Sequence, residues 1–166
     1  MTDTKWLSEA ERTTWVRLAA VLELLPGVLD AQLTRDQHLT HFEYFSLAML
    51  SEAPDRTLRM TALARRTNAT LPRLSRVISR LEGEGLVARE PCPQDRRATN
   101  VTLTPAGWDK VVQAAPGHVA TVRSNVFDPL TAAQAEQLGR ICARLLDELD
   151  PEGLIFNRPA SSDRRQ

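Results

Sequence analysis

Along the first segment, Trp6 to Leu33, apolar residues recur at Trp15, Leu18, Leu22, Leu25 and Leu29, in steps of three and four, which is one face of a helix. Pro26-Gly27 falls inside this run. A proline there lacks a backbone donor and crowds the carbonyl four residues back, so a kink, or a break into two shorter helices, is expected near Leu25. Thr40 and Glu43 make a capping box, the hydroxyl accepting from the third amide while the carboxylate reaches back to the cap. A second helix is predicted from there to about Glu52, ended by Ala53-Pro54-Asp55.

A short helix follows over about Thr61 to Thr67, and Asn68-Ala69-Thr70 breaks its pattern. Thr70 supplies an N-cap and Pro72 sits in the first turn of the next helix, where its missing N–H costs little. Leu74, Val77, Ile78 and Leu81 form the apolar stripe of that helix, Arg73, Arg76 and Arg80 project from its other side, and Gly83 and Gly85 close it. Leu86 to Glu90 and Ala98 to Thr104 read as short strands, Val101 and Leu103 alternating with polar neighbours. The seven residues between them, Pro91 to Arg97, read as a hairpin tip rich in turn formers, with Cys92 near its start and paired arginines at its end. Thr104-Pro105 opens a helix carrying Trp108, Val111 and Val112, which Ala115-Pro116-Gly117 is expected to interrupt before Val119, Val122 and Val126. Thr131 with Gln134 makes another capping box, and Leu138, Cys142, Leu145 and Leu149 form the last stripe. The fold class is therefore mainly α, with a small β-hairpin wing.

With 166 residues and 42% apolar content, one ordinary domain with appendages can bury a core without a disulfide or structural metal. Cys92 and Cys142 lie far apart, with neither a CxxC pair nor a Cys/His cluster at zinc spacing, so no metal and no cofactor is expected. His38 and His41, with Glu43, have a metal-like spacing, which at a helix start is more often coincidence. No apolar run approaches the ~20 residues of a membrane span, and Met1–Lys5 lacks the basic start of a signal peptide, so a soluble cytoplasmic protein without membrane contact is expected.

Formal net charge is zero, from 21 basic and 21 acidic residues, but the distribution is uneven. Residues 56–97 hold ten Arg against Glu82, Glu84, Glu90 and Asp95, a net +6, which leaves −6 on the flanks. Short helix, tight turn, Arg-faced helix and basic hairpin together make a winged helix-turn-helix, whose second helix fits the major groove of double-stranded DNA. Arg73 and Arg76, in its first two turns, can each donate two hydrogen bonds to guanine, while Thr70 and Ser75 can meet a phosphate or base edge. Arg80 and Arg89 are further candidates for the phosphates, and Arg96 and Arg97 at the tip for the adjacent minor groove. For any one arginine a solvated surface charge is the commoner role; ten in this stretch favour DNA collectively. With no GxGxxG, GxxxxGK or GxSxG motif, an enzyme is not supported.

Met60-Thr61-Ala62-Leu63-Ala64, Arg80-Leu81-Glu82, Gly85-Leu86-Val87, Asp95-Arg96-Arg97 and Leu103-Thr104-Pro105-Ala106-Gly107 follow the order and spacing of the MarR family (multiple antibiotic resistance regulators), which the chain resembles over nearly its whole length. The resemblance implies a homodimer whose two winged lobes straddle a palindromic operator. Residues 1–36 and 105–150 would then be dimerisation helices, 37–104 the DNA-binding lobe and 151–166 a flexible tail. Trp6, Leu7, Leu138, Cys142, Leu145 and Leu149 are expected at the dimer interface, and Asp95 matches the family's wing aspartate, which orients a neighbouring arginine. Family members commonly respond to small, often aromatic ligands where the dimer helices meet the lobe. Here that junction would draw on Trp15, His38, His41, Phe42, Tyr44 and Phe45, although plain core packing is the commoner role for each. A repressor relieved by a small molecule is the leading expectation. The alternatives are a winged-helix module that binds an acidic protein, and a redox-responsive regulator acting through Cys92 beside Arg96 and Arg97.

Overall fold

The computed structural model describes residues 4–93 and 95–155, without the side chain of Arg96. The greater part of the expected tail, from residue 156, lies outside the described residues, as does Gln94 at the wing tip. Among the described residues, six α-helices and a three-stranded sheet are laid out as α1 (Glu9–Gln37), α2 (His41–Ser51), β1 (Thr57–Arg59), α3 (Met60–Arg66), α4 (Leu71–Gly83), β2 (Val87–Cys92), β3 (Asp95–Leu103), α5 (Pro105–Val122) and α6 (Ala132–Leu149).

Local chemistry sets most helix starts. Thr40 and Thr131 both form the capping boxes expected of them, with Glu43 and Gln134 as third residues, and the Thr104 hydroxyl accepts the Gly107 amide at 3.0 Å. Two expected interruptions do not occur: α1 is one helix of 29 residues through Pro26, and α5 one helix of 18 through Pro116. The carbonyls these prolines leave unbonded belong to Leu22 and Val112, both more than half exposed, so water can take them. A proline costs a helix about 3 kcal/mol, which the ladder on either side and the packing of α1 along α5 offset.

β1 was not legible beforehand. Its three residues pair antiparallel with β3 (Leu58 opposite Val101), and β2 pairs on the other side, giving the order β1-β3-β2. The hairpin strands also run further than expected. Cys92 pairs with Asp95 across an irregularity at Pro91/Cys92, so both strands reach into the expected seven-residue tip. Cys92 is accordingly a buried strand residue, not a turn residue, with the Arg59 guanidinium 3.5 Å from its sulfur.

Leu33, Leu39, Leu47, Leu50, Leu63, Leu74, Ile78, Leu81 and Val101 are fully or almost fully buried and form one core under the lobe. The helix from Pro105 docks on this core through Val111, Ala114 and Gly107, and a Cβ at Gly107 would lie 2.0 Å from the Leu86 carbonyl oxygen. Only glycine lets α5 leave the sheet at this angle. By contrast, the segment before α1, the N-terminal half of α1 and all of α6 bury almost nothing against the other described residues: Trp6, Leu7, Trp15, Leu22, Leu145 and Leu149 are exposed.

Candidate nucleic-acid interface

α3 and α4 meet at Asn68, whose φ of 47° makes the tight turn between them. Leu63 and Ala64 of α3 and Leu74, Ile78 and Leu81 of α4 face the core, which forces the opposite side of α4 outward. Thr70 occupies the N-cap position, but its hydroxyl makes no capping bond, and Pro72 follows in the first turn. The exposed start of α4 therefore offers unpaired amides and a hydroxyl to an anion. Arg76 is exposed one turn further on, and Ser75 beside it is half-buried. The exposed Arg73 lays its guanidinium 4.2 Å from the centre of the Phe42 ring, a cation–π contact that holds it ready at the rim of the lobe.

The remaining candidate arginines divide. Arg97 is exposed in the wing, where its amide donates to the Asp95 carboxylate at 3.1 Å; Asp95 thus orders the turn through the backbone. The Arg96 side chain lies outside the described residues. Arg89 turns back on Glu82, to which its backbone N–H and Nε donate at 3.0 and 2.9 Å, and these bonds pull the Glu82 carboxyl below its ordinary pKa. Arg80 is likewise directed into the lobe, with Nη1 2.7 Å from Glu43 and Nη2 3.2 Å from the His38 carbonyl oxygen. Periodicity grouped Arg80 with Arg76, and the basic run added Arg89; their carboxylate partners separate both from Arg76.

The residues expected around a ligand are brought together only in part. His41 stacks between Phe45 and His118, with ring centres 6.3 and 6.1 Å away, and Tyr44 packs on His118 at 4.8 Å. Phe42 turns instead to Arg73, and His38 contributes its carbonyl from the left-handed C-cap of α1. Trp15 does not join them. Because α1 is unbroken, Trp15 stands 23 residues, or about 34 Å, up the helix from His38, and it is exposed. Sequence reading missed His118 and Gln32. Gln32 Oε1 and His118 Nδ1 are buried without a hydrogen-bond partner among the described residues, and Gln32 Nε2 lies beside Gly117. The signal for His118 was the continuity of α5, which puts it one turn below the buried Ala114. A separate groove of about 620 Å³ lies between the α3–α4 turn and the chain after α6, lined by Thr61, Arg65, Asn68, Leu71, Leu149 and Leu154.

Burial lowers the pKa of both imidazoles from 6.5; Asp30 opposes this at His41, and the His41 charge adds to it at His118. The fold favours their neutral form, so their contribution to stability is complete above pH 6.5 and is lost as pH falls below it. The melting temperature should fall between about pH 7 and 5, before the carboxyls such as Glu82, with an ordinary value of 4.5, begin to titrate. In His118→Phe part of that dependence should vanish. A melting curve series identical for the two proteins would contradict this.

A helix-turn-helix followed by a sheet wing, with arginines aimed away from the core, is a winged-helix DNA-binding architecture. Residues 39–99 match the model of the MarR family. The chain is 39% identical to Sco3205, a MarR family transcriptional regulator from Streptomyces coelicolor whose crystal structure is in complex with DNA; 95% of this chain and 100% of that one are covered, with a TM-score of 0.85. AbsC, a MarR family transcriptional regulator from the same organism, is 34% identical over 88% of this chain and 98% of its own, with a TM-score of 0.81. The HTH-type transcriptional repressor YetL of Bacillus subtilis (strain 168) is 27% identical over 139 residues, 76% of this chain and 83% of YetL. The protein belongs to the MarR family of transcriptional regulators.

Proposed function

We propose that the protein is a non-catalytic cytoplasmic repressor that binds a palindromic operator as a homodimer and is relieved by a small aromatic ligand. The observation that carries this reading is α4: its apolar stripe is sealed in the core while Arg73 and Arg76, beside the open helix start at Thr70, face outward. Thr70, Arg73, Ser75 and Arg76 are assigned to the major groove, and Arg97, with Arg96, to the wing contact. Arg80 and Arg89 are left out, because Glu43 and Glu82 engage them. The exposed Trp6 and Leu7 just before α1, and the exposed apolar face of α6 with Leu138, Leu145 and Leu149, support the dimer. Cys142, on an exposed turn of α6, belongs with them.

Support for a ligand comes from the junction of α1, α2 and α5, where the His41, Tyr44, Phe45 and His118 rings meet two unsatisfied polar atoms, a lining that suits an aromatic acid. Cys92 is buried in the sheet and lacks the exposure a redox sensor needs, so the redox alternative is not adopted. No helix among the described residues is long and apolar enough to cross a membrane.

Mobility-shift titration of the purified protein against a random-sequence duplex library tests the reading. A subset of duplexes should be enriched, and log K should fall linearly with log salt as phosphate contacts release counterions. Capture of no duplex, with retention on an acidic protein column instead, would favour the protein-interaction alternative.

A further inference from the structure

Glu43 is the one charged side chain that is buried among the described residues, at 3% exposure. Both of its oxygens are committed: Oε2 accepts the Thr40 amide of the capping box at 2.8 Å, and Oε1 accepts Arg80 Nη1 at 2.7 Å. The same guanidinium donates to the His38 carbonyl oxygen at 3.2 Å and, through Nε, to Glu84 at 3.1 Å. One side chain of α4 thereby ties together the end of α1, the start of α2 and the end of its own helix. Glu43 is buried while Arg80 is half-exposed; such a pair contributes little net stability once desolvation of the carboxylate is counted, so its value lies in the direction it imposes.

The direction matters because of what lies beside it. Phe42 and Glu43 are consecutive in α2, and they hold Arg73 and Arg80 of α4 respectively. Those two arginines are seven residues, about 10.5 Å, apart on one helix face. Arg76 stands between them. The apolar contacts of Leu74, Ile78 and Leu81 fix how deeply α4 sits in the core, and the two arginine contacts add a directional constraint on its rotation that hydrophobic burial by itself does not supply. With a guanidinium about 8–9 Å from the axis, a roll of ~10° would carry it about 1.5 Å, enough to lose a bidentate hydrogen bond.

We propose that the Glu43–Arg80 pair is the clamp that sets the rotation of α4, and that Arg80 is a positioning residue for operator reading, not a DNA contact. This rests on the reading of α4 as the DNA-facing helix. The pair also anchors α2, whose next residues Tyr44 and Phe45 join the His118 cluster, so one short helix carries both the clamp and part of that cluster.

The test uses the full-length protein and the duplex it enriches from a random-sequence library. Glu43→Gln keeps the capping acceptor, since glutamine also serves at that position, while its NH2 replaces the oxygen that accepts Arg80 and so removes both the charge and that hydrogen bond. Arg80→Met keeps the aliphatic stem. Each should weaken binding to the enriched duplex about tenfold, leave binding to unselected duplex and the slope of log K against log salt unchanged, and the double variant should be no weaker than either single one. Melting curves establish that the variants are folded at the assay temperature. Arg80→Lys, which keeps the charge but only a point donor, should fall between wild type and Arg80→Met and carries the comparison if Arg80→Met does not fold. A slope reduced by about one per half-site in Arg80→Met, with Glu43→Gln binding like wild type, would identify Arg80 as a phosphate contact and overturn the clamp. If wild type enriches no duplex, the assignment of α4 fails and the clamp falls with it; if wild type does and both single variants match it, only the clamp fails.

Discussion

Arg76→Ala is expected to weaken binding to the preferred duplex at least ~30-fold, because a bidentate arginine–guanine contact is worth about 1–3 kcal/mol and a dimer would make it in both half-sites. The effect should be concentrated in specificity. Affinity for unselected DNA, which depends on phosphate contacts, should change little, and the enriched sequences should lose preference at one position in each half-site. Arg76 carries this expectation ahead of the other arginines for reasons of geometry. It is exposed in the second turn of α4 with no partner holding it among the described residues, whereas Arg73 rests on the Phe42 ring and Arg80 is held by Glu43. A variant that weakens all duplexes equally and lowers the salt slope would move Arg76 to the phosphate backbone.

That arginine set marks the boundary of what the chain disclosed before its structure. The caps at Thr40, Thr104 and Thr131 and the buried stripe of Leu74, Ile78 and Leu81 were legible because each is a local pattern, read within one or two helical turns. β1 was not, because a three-residue strand owes its form to its partner β3. Nor was the inward turn of Arg80, since Glu43 is 37 residues away and had already been accounted for as a helix cap. The prolines misled for a related reason: their local cost is real, but it competes with packing along the whole of α1 and α5. That continuity then decided the site, carrying Trp15 away from the aromatic cluster and bringing His118 into it.

The apolar faces left open by the same long helices set the second large effect. Along α6, Leu138, Ile141, Leu145 and Leu149 recur at steps of three and four, and the last two are 44% and 80% exposed. A row of this kind would aggregate unless a partner covered it, and an isologous contact uses one patch on both protomers, so one substitution changes the interface twice. Leu145→Asp places two carboxylates in such an interface. It should convert a dimer of about 37 kDa to a monomer of 18.5 kDa by light scattering. Operator affinity should then fall by about 10²–10⁴, because the two half-sites would no longer be engaged through one linked body. The lobe itself should survive, since its core of Leu47, Leu63, Ile78 and Val101 receives nothing from Leu145. Cooperative melting with a monomeric mass and weak, non-palindromic DNA binding is the expected combination; a variant that stays dimeric would require that the chain pair through the N-terminal half of α1 alone.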